Sequence, residues 1–156
     1  MCTKVKKHRT GAQVVTTQKS TLNLSVKHTK MATKGNIYKC EICGNIVEVL
    51  EEGVGVLVCC GQNMTDLRAK TKDDGKEKHV PVVKTKDSGI RVEIGEVPHP
   101  MEKEHYIQFI ELIDLDGKIC RKELAPGDDP AAEFCCVGKI KTVREYCSVH
   151  GLWETK

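Results

Sequence analysis

A mainly β chain, with a small metal-stabilised domain ahead of an antiparallel sandwich, is the fold class that the sequence predicts. Three observations carry it. Short apolar segments recur between turn signals from His79 onward. Nowhere does the helical period of about 3.6 residues persist beyond a turn or two. Four cysteines bracket a segment spanning residues 40–60 that is too short to bury a core unaided.

Residues 1–34 hold eight of the 25 Lys and Arg (Lys4, Lys6, Lys7, Arg9, Lys19, Lys27, Lys30, Lys34) and no acid. Rich in Lys, Thr and Ser and without a sustained period, they predict a basic, disordered extension. A transit peptide would be richer in Arg, and a nucleic-acid arm would bring stacking aromatics. The alternative is that translation starts at Met31. The remaining chain carries 17 basic and 22 acidic side chains, a net near −5, so the body is mildly acidic.

Residues 36–65 predict two short apolar strands around a glycine-containing turn at Glu52–Gly55, with a thiol pair closing each end. "DLRAKTKDDGKEK" is a polar linker with an Asp-Asp-Gly turn signal. In "GIRVEIG", Ile90, Val92 and Ile94 alternate with Arg91 and Glu93, as in a half-buried strand. "HYIQFIELI" and "KICRKEL" flank "DLDG", a hairpin signal at Asp116–Gly117, and "KIKTVREY" is a further strand.

The chain of 156 residues suffices for one domain, or for a small one joined to a medium one. No run approaches membrane-spanning length. Nine cysteines, an odd number, with no signal-like apolar stretch, argue against a secreted disulfide scaffold. They favour a reducing cytoplasm in which thiols are spent on metal.

"CEICG" and "CCG" supply Cys40, Cys43, Cys59 and Cys60. The glycine after each pair, Gly44 and Gly61, permits positive φ and lets backbone amides face the thiolates. Adjacent residues of a strand point to opposite faces, so Cys59 and Cys60 share an ion only if the chain bends sharply. Four thiolates suit zinc or a single iron. The bland alternative is two buried thiol pairs, or a vicinal disulfide.

Of six histidines, His8 and His28 lie in the extension and are expected to be solvated. His79, His99, His105 and His150, taken singly, would each be an ordinary surface or partly buried histidine. Together they look different: three of them sit beside a proline or one residue from a strand end, and "YCSVHG" adds Cys147 three residues before His150. Pro98 and Pro100 stiffen the backbone at His99, and a curled loop is needed to bring His105 to the same ion. One thiolate with imidazoles suits iron, copper or zinc, and a sixth position would stay open.

"YKCEICGNIVEVL", "LVCCGQNM", "KEKHVPV", "VPHPMEKEHYI" and "REYCSVHGLW" together resemble the desulfoferrodoxin family, the two-iron superoxide reductases, over residues 36–156. The resemblance implies a desulforedoxin-like, rubredoxin-type iron domain over 35–72 and an immunoglobulin-like antiparallel β-sandwich over 73–156, behind the 1–34 extension. It implies two irons per chain and neither haem nor flavin. Cys40, Cys43, Cys59 and Cys60 would hold the first iron. His79, His99, His105 and His150 would ligate the second equatorially, with Cys147 axial. Glu77 matches the glutamate that caps the oxidised iron, and Lys78 the lysine beside the open position.

The implied reaction is one-electron reduction of superoxide to hydrogen peroxide, as a defence against oxidative stress in an anaerobic or microaerophilic cell. Rubredoxin or a similar carrier would donate the electrons to a cytoplasmic homodimer. Cys120, Cys135 and Cys136 match no ligand and read as small buried hydrophobes, while Cys2 lies in the extension. Two rival readings are a pure electron carrier, which leaves the four histidines unexplained, and a zinc-ribbon nucleic-acid module. The acidic body argues against the latter.

Overall fold

Twelve β-strands and no helix are present among the residues that the computed structural model describes, 32–73, 79–86, 89–135 and 138–155. The N-terminal part carries β1 (Ile37–Lys39), β2 (Ile46–Glu48), β3 (Val58–Cys59), β4 (Gln62–Asn63) and β5 (Thr65–Asp66). β1 lies between β2 and β5, and β3 pairs only with β4. The strands on either side of the 52–55 turn, β2 and β3, therefore do not pair with each other. Each folds back through its own thiol-bearing turn, because a shorter loop costs less closure entropy. Ala32, inside the stretch expected to be an extension, is buried against Tyr38 and Val49.

The rest is β6 (Pro81–Lys86), β7 (Gly89–Ile94), β8 (Ile107–Asp114), β9 (Ile119–Glu123), β10 (Ala131–Phe134), β11 (Ile140–Cys147) and β12 (Gly151–Glu154). They form two antiparallel sheets, ordered β10-β7-β6 and β12-β11-β8-β9. Val92 and Ile94 of β7, Ile107, Ile110 and Leu112 of β8, Phe134 of β10, and Val143 and Cys147 of β11 close the core between the sheets. A wholly buried Ile or Leu contributes about 1.5–3 kcal/mol. Arg91 and Glu93 face outward and pair with each other. The β8–β9 hairpin forms where "DLDG" places it: Asp114 Oδ1 accepts from the amides of Asp116 and Lys118 at 3.0 and 2.9 Å.

β6, β10 and β12 are strands that the sequence did not single out. β10 carries two alanines, and β12 has four residues following directly on the "YCSVH" turn, so neither shows enough alternation to be read. Cys135 corrects the expectation of a buried thiol. It is exposed, because Ala132 and Phe134 take the inward positions of β10. Cys120 packs against the core as expected, and Cys136 lies outside the described residues.

β11 is buried on both faces. Val143 and Cys147 face the sandwich, whereas Tyr146 packs with Ile37, Leu152, Ile46, Leu67 and Phe109 beneath the β1–β2 sheet. Arg144 shares that outer face. It donates to Glu111 and, at 2.8 and 3.1 Å, to the Gly35 carbonyl and Glu48, while Arg121 pairs with both Glu111 and Glu48. Three layers result, with the thiol-bearing sheet fastened to the sandwich by buried charge. Among the described residues no helix is long and apolar enough to cross a membrane.

Candidate metal centres

The sulfurs of Cys40, Cys43, Cys59 and Cys60 lie within 4.8 Å of one another. The backbone at Cys60 takes φ 50°, with Gly44 and Gly61 at 78° and 79°. A left-handed conformation at a side-chain-bearing residue costs about 1–2 kcal/mol. That is the bend needed to turn both Cys59 and Cys60 to one side. Cys43 and Cys59 approach to 3.6 Å and Cys59 and Cys60 to 3.9 Å. A tetrahedral ion with bonds of about 2.3 Å to sulfur requires edges of about 3.8 Å. The set fits a tetrahedral metal.

Without metal these thiols cannot all ionise. The Cys43 amide, assisted by that of Ile42, lowers the Cys40 pKa to about 7. Hydrogen bonding among the sulfurs, from Cys43 first, holds the proton on Cys60 and raises its pKa to about 12. Metal uptake must therefore release protons. Cys40 is buried, while Cys43 and Cys60 are exposed.

The second group joins residues far apart in sequence: His79 before β6, His99 and His105 on the β7–β8 loop, Cys147 at the end of β11, and His150 before β12. Reciprocal backbone hydrogen bonds of 3.0 Å between Glu102 and His105 curl the loop. The imidazoles close a cycle of edge-to-face neighbours, His79 to His99 to His105 to His150 and back, with centroids 4.6–4.9 Å apart. His79 Nε2 and His150 Nδ1 are 2.9 Å apart. Adjacent corners of a square of nitrogens about 2.1 Å from a metal are separated by about 3.0 Å.

Cys147, fully buried, puts its sulfur 3.5 Å from His99 Nε2 and 3.6 Å from His150 Nδ1. Four imidazoles in a ring over one thiol are five donors of an octahedron. The soft thiolate and the two donor sets fit two iron centres, one of each kind.

Around this ring lie residues that the sequence reading missed. Asp73, read only as part of a turn signal, accepts from the His79 amide at 2.8 Å and lies 3.1 Å from its Nδ1. Burial would raise the Asp73 pKa, but the bonds from His79 and Val80 outweigh it and keep the pKa lowered. His99 Nδ1 donates to the Pro100 carbonyl at 2.6 Å. Trp153 stacks on His79 at 4.4 Å and 11°. Lys70 places its ammonium 5.0 Å from the Trp153 ring and donates to the His150 carbonyl at 3.0 Å.

Glu145 is wholly buried, on the Cys147 face of β11 by strand alternation, and its carboxyl has no hydrogen-bond partner among the described residues. Burial, and secondarily the charge of Asp73, pushes its pKa well above the usual carboxylate range. Nothing local in "VREYC" signals this, because burial there depends on the opposite sheet. Glu77 and Lys78 lie outside the described residues.

Comparison with known proteins agrees with this geometry. The sequence model for "Desulfoferrodoxin" matches residues 71–156, and that for "Desulfoferrodoxin, N-terminal domain" matches residues 32–67. The desulfoferrodoxin of Syntrophotalea carbinolica is 54% identical over 126 residues, covering 81% of this chain and 99% of its own. The desulforedoxin of Megalodesulfovibrio gigas is 65% identical over 34 residues, 22% of this chain and 92% of its own. The crystal structure of the superoxide reductase from Treponema pallidum superposes with a TM-score of 0.64 at 26% identity, covering 78% of this chain and 97% of that one. With both family segments matched and a full-length relative at this identity, the chain belongs to the desulfoferrodoxin family.

Proposed function

We propose that the chain is a superoxide reductase, which consumes one superoxide, one electron and two protons to release hydrogen peroxide. The observation that carries the reading is the ring of four imidazoles above the buried Cys147, five donors that leave one octahedral direction to a substrate. The superoxide reductase from Treponema pallidum shares the fold. Iron held by these five residues would supply a one-electron reductant with a position for a small anion. The protein's part is to hold the four imidazoles edge to face in one closed ring and to keep the Cys147 sulfur dry. The His150 amide, 3.5 Å from that sulfur, helps to set its donor strength.

In this reading the ligands are His79, His99, His105, His150 and Cys147. Lys78 guides the anion in, and Glu77 caps the oxidised site. Cys40, Cys43, Cys59 and Cys60 hold the accessory iron that relays electrons, with exposed Cys43 and Cys60 giving rubredoxin or a similar carrier access. The chain divides into 1–34, 35–72 and 73–156. Exposed Val47, Leu50, Val54 and Val58 support a homodimer formed through the thiol-bearing sheet. The odd number of cysteines, nine, supports a reducing, cytoplasmic setting, and consumption of superoxide would place the protein in defence against oxidative stress.

The test is turnover of superoxide with a reductant present. Hydrogen peroxide should accumulate without matching dioxygen, and turnover should halt when the reductant is withdrawn. Sustained loss of superoxide with dioxygen evolution and no donor would mean dismutation.

A further inference from the structure

The 67–73 segment joins the thiol-bearing sheet to the sandwich, and its composition suggests nothing but a polar spacer. Its side chains do more. Leu67 and Ala69 pack against Tyr146 and Leu152, Lys70 reaches Trp153 and the His150 carbonyl, and Asp73 reaches His79. One short segment thus holds two of the four histidines, His79 through its ring and amide and His150 through its backbone carbonyl.

We propose that Asp73 is a positioning residue of the histidine–thiolate site, fixing the tautomer of His79 and raising its donor strength. The inference rests on reading the five donors as an iron site. An ionised carboxylate only accepts hydrogen bonds, so the proton it faces belongs to His79 Nδ1, 3.1 Å away. The lone pair then sits on Nε2, the nitrogen 2.9 Å from His150 Nδ1 inside the ring of donors. Asp73 is itself held by the His79 amide at 2.8 Å and the Val80 amide at 3.3 Å. The imidazole has little freedom to turn away, because Trp153 lies flat against its face at 4.4 Å.

A carboxylate behind a ligating imidazole makes it a stronger donor and commonly changes metal affinity about 10–100-fold when removed. His99 is different in kind, since its Nδ1 donates to a neutral carbonyl. A stronger donor favours the more highly charged metal ion. The negative charge of Asp73 should therefore stabilise ferric over ferrous iron at this site and hold the reduction potential down. It should leave the four-thiol centre unaffected, since none of its contacts reach there.

The test compares the full-length protein with Asp73→Asn and Asp73→Ala, each loaded with iron. Its readouts are the potential of the histidine–thiolate site and competition for ferrous iron by a chelator. Asp73→Asn keeps an acceptor for Nδ1 and the His79 amide, gives up the one for the Val80 amide, and loses the charge. Its iron content should match the parent, with the ferric preference about tenfold weaker, which is about 59 mV upward for one electron. Asp73→Ala should show the same upward shift and also lose ferrous affinity about tenfold or more. The absorption and potential of the four-thiol centre should not change in either. A potential in Asp73→Asn within a twofold equivalent of the parent would overturn the electronic role, and undiminished affinity in Asp73→Ala would overturn the positioning role. A parent protein that bound no metal at the five donors would remove the underlying reading as well.

Discussion

Arg144→Met is expected to weaken the hold between the thiol-bearing sheet and the sandwich. Arg144 is the only residue described that donates both to the Gly35 carbonyl, at 2.8 Å, and to buried Glu111. Without it one oxygen of a wholly buried carboxylate loses its donor, and Glu48 and the Gly35 carbonyl lose a partner. Breaking a buried ion pair from one side typically costs about 3–5 kcal/mol. Arg121 Nε still donates to Glu111 at 2.6 Å, which places the expected loss at the lower end, about 3 kcal/mol. That is a folding ratio changed about 150-fold.

Urea titration followed by two probes would measure it: thiolate-to-iron absorption for the thiol-bearing sheet, and fluorescence of the single tryptophan, Trp153, for the sandwich. The absorption midpoint should fall further than the fluorescence midpoint. Arg144→Met combined with Glu111→Leu should recover much of the loss, because that carboxylate is no longer buried unpaired. A loss below about 1 kcal/mol in Arg144→Met, the value of an exposed pair, would refute the view that this cluster is desolvated.

Replacing Cys40 and Cys43 by Ser should abolish the thiolate-to-iron absorption of the first site and leave superoxide reduction by pre-reduced protein largely intact; stopped-flow kinetics would check this. Lys78→Ile should slow reaction of the ferrous protein with superoxide and flatten its salt dependence. A cation about 6 Å from the anion is worth about 0.7 kcal/mol in water and about 3 kcal/mol at an effective dielectric near 20, or about threefold to a hundredfold in rate. For Glu145 the sign follows from its raised pKa. Its contribution to stability is full below the ordinary value of 4.5 and is lost as pH rises toward the higher folded value. Iron-free protein should therefore lose stability over that rise, and Glu145→Gln should flatten the decline in a thermal-melt series.

Local chemistry was legible wherever neighbouring residues alone determine it. The turn at Gly44, the hairpin at "DLDG" and the alternation in "GIRVEIG" each depend on a few adjacent residues, and each appears as expected. The donor identities were also readable, because thiols and imidazoles are few and carry their chemistry with them. What the linear order does not contain is distance between residues remote in the chain. The closed cycle of His79, His99, His105 and His150 is made only when β6, β8, β11 and β12 converge. Glu145 becomes a buried acid only under the opposite sheet, and Arg144 becomes a fastening only against Glu111 and Glu48. Asp73 carries the same side chain in a solvated turn as behind a ligand, and only packing places it 3.1 Å from His79 Nδ1. Local bonding preferences are written residue by residue, whereas desolvation and second contacts arise from the simultaneous closure of several sheets, and those the tertiary structure alone decides.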